Sequence, residues 1–212
     1  MAALDADFLS RNSCFFGGGT AIALALDEYR ESVGIDFLCA SQEGYRELRN
    51  TIDNASLGAI FARPVEYARE VRADRYGIRT FLLSDGVPVK FEIVSEGRIH
   101  IDGHIDPVTG VPTLSRTDMY AEKLLANADR YGDKAVASRD IIDLAMMIKH
   151  WGRIPAEAWE KARGAYGASV DQAFRAAVAS IGNRAHLAQC LAKMHMAPDL
   201  ADQIPDLLGN AQ

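Results

Sequence analysis

Cys14-Phe15-Phe16-Gly17-Gly18-Gly19-Thr20, continued by the alanine-rich run Ala21 to Leu26, decides the fold. A short apolar run, three glycines and a helical run read as a strand, a tight turn and a helix start. Such a turn exposes backbone N–H groups, and the positive end of the helix dipole adds to them, which suits a phosphate. Ser32-Val33-Gly34-Ile35-Asp36-Phe37-Leu38 follows as a second apolar strand. Alternation places Ser32, Gly34 and Asp36 on one face and Val33, Ile35 and Phe37 on the other. A phosphate-binding turn beside a strand-borne carboxylate suits metal-dependent phosphoryl or nucleotidyl transfer, because a metal bridges carboxylate and phosphate oxygens.

The glycines alone are not diagnostic. No Gly-Lys-Ser/Thr follows them, as an NTPase P-loop requires, and their spacing does not fit the dinucleotide fingerprint. A third element adds weight. Val87 to Val94 follows the turn residues Ser84-Asp85-Gly86 and alternates, with Lys90 and Glu92 on one face and Val89, Phe91 and Ile93 on the other. Glu92 is therefore a second acid able to complete a metal site with Asp36.

Further on, Ser115 to Tyr131 reads as a helix in which Lys123 and Asn127 share a face and Leu124, Leu125 and Ala128 supply the apolar side. Ser138 reads as the N-cap of a helix running to about His150, with Asp140 in its first turn and Asp143 on the same face. An acid set among Ile141, Ile142, Leu144, Ala145 and Ile148 needs either a task or a partner, and Arg139 is the partner expected from sequence.

Five pieces in this order resemble the AbiEii/AbiGii-type toxin nucleotidyltransferases, a family of the polymerase-beta-like nucleotidyltransferase superfamily found in bacterial abortive-infection and toxin–antitoxin systems. They are Gly18-Gly19-Thr20, Arg30 with Ser32 and Asp36, Lys90 with Glu92, Glu122-Lys123 with Ala126, and Arg139-Asp140 with Asp143-Leu144. One position departs from the pattern: Gly34 stands where the family has the first Asp of an Asp-x-Asp pair. The resemblance implies an Mg²⁺ (or Mn²⁺) held by Asp36 and Glu92, and a nucleotide contacted by Gly18, Gly19, Thr20, Arg30, Ser32, Lys90 and Lys123. It assigns Asp36, Lys123 and Asp143 to catalysis, with Lys123 reaching the triphosphate and Asp143 as general base. It also implies a nucleoside triphosphate donor, an RNA (tRNA-like) end or protein hydroxyl as acceptor, and a cognate antitoxin. Two acids can hold one magnesium with help from waters and phosphate oxygens, whereas Gly34 puts a two-metal arrangement in question. Asp27, Glu28 and Glu31 lie in the polar end of the preceding helix and read as solvated.

Arg98 to Asp106 forms a rival constellation. Read as one strand, it puts His100, Asp102, His104 and Asp106 on one face, the residue types of a transition-metal site and hence of a metallohydrolase. A straight strand spreads such residues along a line, and closure around one ion needs a bulge at Gly103; otherwise this is a solvated strand face.

With 212 residues, 49% hydrophobic and 25% charged, the chain can bury one sizeable core or two small ones. The character changes near residue 112. Short alternating strands with helices at about 20–29 and 42–54 come before it; helical runs bounded by Gly132, Gly152, Gly167, Gly182 and Pro198 come after it. The expected class is α+β: a nucleotidyltransferase-like mixed sheet with flanking helices over 1–112, then a helical bundle over 113–212 that completes a nucleotide cleft. Cys14, Cys39 and Cys190, odd in number and without ligand spacing, read as reduced thiols. No apolar stretch approaches the ~20 residues of a membrane span, and the N-terminus, with Asp5 and Asp7, does not read as a signal peptide, so a cytoplasmic location with no membrane partner is expected. A net charge of −6 argues against non-specific coating of nucleic acid. Local clusters, Arg63, Arg69, Arg72, Arg75 and Arg79 in one half and Arg163, Arg175, Arg184 and Lys193 in the other, offer a path for an RNA backbone or simply a solvated surface. Besides the transferase, a degenerate relative that binds nucleotide, RNA or protein without turnover and the metallohydrolase are the alternatives.

Overall fold

The computed structural model describes residues 1–209, which form two compact units. The first contains Met1–Ala21 and Val33–Ser115; the second contains Ile22–Ser32 and the chain from Arg116 onward. The sequence places the division at 112 and does not foresee that 22–32 joins the helices. Charge pairing explains the exchange, because Tyr29 and Arg30 both bond Asp143, and the Glu31 N–H donates to the Met194 carbonyl at 3.1 Å.

In the first unit, α1 (Ala6–Arg11) leads into β1 (Cys14–Gly17); α2 (Gly18–Ala25) starts at the next residue and passes into the second unit from Ile22. Then come β2 (Gly34–Cys39), α3 (Gln42–Asn50), β3 (Glu66–Tyr67), β4 (Arg72–Ala73), β5 (Gly77–Ser84), β6 (Val87–Ser95), β7 (Gly103–Ile105) and β8 (Pro112–Leu114). The strands make one mixed sheet in the order β3-β5-β6-β2-β1-β8-β7, with β4 also on β5. At its centre β2 runs antiparallel to β1 and parallel to β6. Period-two alternation sorts the two faces. Phe16, Phe37 and Phe91 are neighbours on one, with ring centroids 5.5 and 5.9 Å apart, and each is buried. Phenylalanines buried to this degree stabilise by ~2 to 3 kcal/mol apiece, enough to fix the register of the three strands. The other face carries Asp36 and Glu92.

Two helix ends differ from expectation. The helix expected over 20–29 is Gly18–Ala25, because Asp27 and Glu28 both take left-handed backbone, φ +57 and +51. The helix expected over 42–54 stops at Asn50, its start capped by Ser41, whose Oγ accepts from Gly44 N.

In the second unit, α4 (Arg116–Arg130) packs against α5 (Arg139–Trp151), α6 (Ala156–Tyr166) and α7 (Ser169–Ile181); α8 (Arg184–Lys193) and α9 (Leu200–Gly209) follow. Gly152, Gly167 and Gly182 cap α5, α6 and α7 as the glycine spacing predicts. Tyr120, Leu124, Ile142, Met147, Ala158 and Val170 are among the residues that fill the core. The α+β class, with a mixed sheet followed by a helical bundle, is therefore as read from sequence. No helix among the described residues is long and apolar enough to cross a membrane.

Candidate functional site

Asp36 and Glu92 face each other across the β2–β6 pair. They are direct register partners, as are Gly34 and Lys90 one pleat earlier, so all four share a face. Neighbouring strands lie about 4.8 Å apart, which puts both carboxylates within the span of one cation. On its other side Asp36 is the register partner of Gly17.

The glycine turn folds against this acid. Gly18 has φ +69, which glycine adopts without penalty, and a Cβ there would lie 3.0 Å from both Cβ and Oδ2 of Asp36. A Cβ on Gly34 would stand 3.6 Å from Oδ2 and 3.8 Å from Oδ1 of the same carboxylate. The Gly18 backbone therefore packs closely against the Asp36 carboxylate, whereas position 34 has room for a Cβ at ordinary contact distance. Gly17 serves packing instead: a Cβ there would meet Leu38 Cδ1 at 2.6 Å and Leu114 Cδ1 at 2.7 Å.

Glu92 is already charge-paired. Arg79 Nε donates to Oε1 at 2.6 Å, and Lys90 Nζ pairs with Oε2. Burial pushes the Glu92 carboxyl up, but these two cations outweigh it and hold it below the usual carboxylate range. Lys90, named from sequence as a nucleotide ligand, is thus placed on Glu92. Ser32 precedes β2, which begins at Gly34, so it does not share the strand face with Asp36 as alternation predicts. Asp36 and Glu92 in register supply two carboxylates, a donor set of the kind that holds one divalent cation together with waters and phosphate oxygens, and among the described residues no group of three or more His, Cys, Asp or Glu is placed to hold a metal.

The second unit carries a separate charge cluster. Arg30 grips Asp143 with two bonds, Nε to Oδ1 at 2.7 Å and Nη2 to Oδ2 at 2.9 Å. Tyr29 OH donates to Oδ1 at 2.6 Å, and Lys123 Nζ lies 2.6 Å from Oδ2. Lys123 also bonds Asp140 Oδ1 at 2.9 Å, and Arg130 reaches both oxygens of Asp140 at 2.6 and 3.0 Å. Arg30, Lys123, Asp140 and Asp143 are all buried. Burial opposes ionisation of Asp143, yet Lys123 and Arg30 outweigh it and keep its carboxyl low; Lys123 and Arg130 do the same for Asp140. Burial, then the Asp143 charge, push the Tyr29 hydroxyl up, so it remains a donor. The partner of Asp143 is Arg30 with Lys123 and Tyr29, not the expected Arg139. A carboxylate that accepts four donors and is held below its ordinary range is a poor proton acceptor. The sequence missed Tyr29 and Arg130 because neither falls on a motif position.

The rival constellation does not assemble. β7 spans only Gly103–Ile105, so His100 and Asp102 lie outside the strand and the four residues do not share its face. A Cβ on Gly103 would lie 2.2 Å from the Thr113 carbonyl, so this glycine permits close strand approach rather than a bulge around an ion. Asp102 accepts from the Gly103 N–H, and Asp106 from the N–H groups of Val108 and Thr109, which makes both acids turn residues.

The family model for the nucleotidyl transferase AbiEii toxin of type IV toxin–antitoxin systems matches residues 2–208. JHP933 from Helicobacter pylori superposes with TM-score 0.53 at 15% identity, covering 96% of this chain and 85% of that one. A proposed nucleotidyltransferase from the same organism gives TM-score 0.52 at 14% identity over 96% and 88%. MenT4, a nucleotidyltransferase toxin from Mycobacterium tuberculosis H37Rv, gives 0.33 at 17% identity over 88% of each chain, too low to speak for the fold. No curated protein matches in sequence.

Proposed function

Because the chain belongs to the AbiEii nucleotidyltransferase toxin family, we propose that it moves a nucleoside monophosphate from a nucleoside triphosphate to an RNA end or a protein hydroxyl, with Mg²⁺ or Mn²⁺ at Asp36 and Glu92. The single observation that carries this is the pairing of Asp36 with Glu92 in register, with the Gly18 turn against the Asp36 carboxylate. The bound cation would neutralise phosphate charge at these two acids. Gly18, Gly19, Thr20 and the N-terminus of α2 hold the triphosphate through backbone N–H groups. Lys90 and Arg79 set the charge of Glu92, and Lys90 exchanges to a phosphate oxygen when nucleotide enters. Arg30, Lys123 and Asp143 act as positioning residues: Asp143 fixes the two cations rather than taking a proton itself. Exposed Arg72, Arg75 and Tyr76 lie on the strand edge and turn leading to Arg79, a surface suited to an RNA acceptor. The antitoxin of the same system is the expected protein partner.

A non-catalytic reading, in which nucleotide binds without turnover, is favoured by Gly34. Calorimetric titration of each nucleoside triphosphate with and without Mg²⁺, beside transfer of labelled nucleotide onto total RNA, separates the two. Mg²⁺-dependent binding and labelled RNA that both vanish in Asp36→Ala support the transferase; binding without label supports the degenerate relative; neither binding nor label refutes both.

A further inference from the structure

Arg79, Glu92, Asp36 and Gly17 form one row across β5, β6, β2 and β1, each the register partner of the next. Glu92 therefore stands between a cation on one neighbouring strand and an acid on the other. Arg79 is held where it stands. Its Nε donates to Glu92 Oε1 at 2.6 Å, and its Nη1 donates to Asp74 Oδ2 at 3.3 Å. Gly77 makes room for it: a Cβ there would lie 2.8 Å from Nη2 and 3.0 Å from Cζ of Arg79. Arg79 reaches Glu92 from β5, the side away from β2, so Oε1 is committed and Oε2 is the oxygen left to share with Asp36.

Lys90 Nζ pairs with that Oε2. Its support is weaker than that of Arg79, since its side chain is 45% exposed and its register partner on β2, Gly34, has no side chain to hold it. An ammonium and a divalent cation on one carboxylate oxygen repel each other at contact distance and compete for its lone pairs. Glu92 is already neutralised by contact, so a bare cation gains little there. A polyphosphate changes the balance, because its oxygens accept from Lys90 and bring negative charge for a metal to neutralise.

We propose that Lys90 is a resident counter-ion that takes the metal's place on Glu92 until a triphosphate draws it away, so that the protein acquires its divalent cation together with the nucleotide and not before it. This rests on the reading of Asp36 and Glu92 as the metal site.

The test is Mn²⁺ binding to the full chain without nucleotide, read from the electron paramagnetic resonance of free Mn²⁺ at constant ionic strength. Lys90→Met should lower the Mn²⁺ Kd by ~10-fold or more. Lys90→Arg, which keeps the charge, should stay near the parent, and Asp36→Ala added to Lys90→Met should abolish the gain. With a nucleoside triphosphate present the gain should vanish, because the parent then recovers on phosphate the bond it gives up on Glu92. A tighter Kd that appears only without triphosphate is not the signature of a folding defect. The same Mn²⁺ Kd in parent and Lys90→Met, with binding lost in Asp36→Ala, overturns the proposal and leaves the metal site standing; so does a gain that persists undiminished with triphosphate. No Mn²⁺ binding to any of these proteins, with or without triphosphate, overturns the metal site and the proposal together.

Discussion

Asp36 and Glu92 are register partners on parallel strands, and Gly34 lies one pleat before Asp36 on the same face. A carboxylate added at position 34 would join this pair without a backbone clash, since the nearest backbone atom to its Cβ is the Lys90 carbonyl oxygen at 4.0 Å.

Gly34→Asp should therefore raise Mg²⁺-dependent transfer by about 10-fold or more, equivalent to ~1.4 kcal/mol of barrier. Without metal the added charge repels Asp36, so the variant should melt lower than the parent in EDTA and recover with Mg²⁺. Transfer assays on parent, Gly34→Asp and Gly34→Asp with Asp36→Ala measure this. A fast parent that the added acid slows would show that Asp36 and Glu92 already suffice.

Gly18→Ala should cost about 1 to 2 kcal/mol of stability for the left-handed backbone alone. The new Cβ, 3.0 Å from Asp36 Oδ2, also displaces the acid. Denaturant unfolding gives the first effect, and a weaker response to Mg²⁺-nucleotide gives the second. Unchanged stability would mean that the turn relaxes.

Arg30→Met leaves Asp143 buried with a reduced set of donors and should destabilise by ~3 to 5 kcal/mol, whereas Arg30→Met with Asp143→Leu should recover part of that loss. A double-mutant cycle in urea measures the coupling. Additive effects would show that the pair contributes nothing beyond its single residues. Lys123→Met should impair nucleotide transfer more than Lys123→Arg does, if the cluster positions cations for the reaction.

Low pH should unfold the helical unit through Asp140 and Asp143. Their folded-state pKa values lie below the ordinary value of 3.8. Groups depressed in this way contribute stability that is fully present above the unfolded value and lost as pH falls toward the folded one. Urea midpoints should be flat in this respect from pH 7 to about 5 and fall below about pH 4. Asp140→Asn should reduce that slope; an unaltered slope would assign it to other carboxylates.

Much was legible in the sequence because periodicity is a local property of the backbone. Alternation along Gly34 to Leu38 and along Lys90 to Val94 fixes which residues share a face in each strand, and glycines after Trp151, Tyr166 and Ile181 mark where helices stop. The glycine turn, the acid pair and the α+β plan follow from those patterns. Only the tertiary structure decides the partners. Alternation cannot choose which strand lies beside β2, so the alignment of Asp36 with Glu92 rather than with another residue depends on how Phe16, Phe37 and Phe91 pack on the opposite face. Nor can a motif show that Arg30 closes on Asp143 across 113 residues of chain, or that a single strand read over 98–106 breaks into a short strand and a turn. Desolvation decides such pairings: a buried charge must find an opposite charge wherever the packed chain brings one, and sequence distance plays no part in that choice.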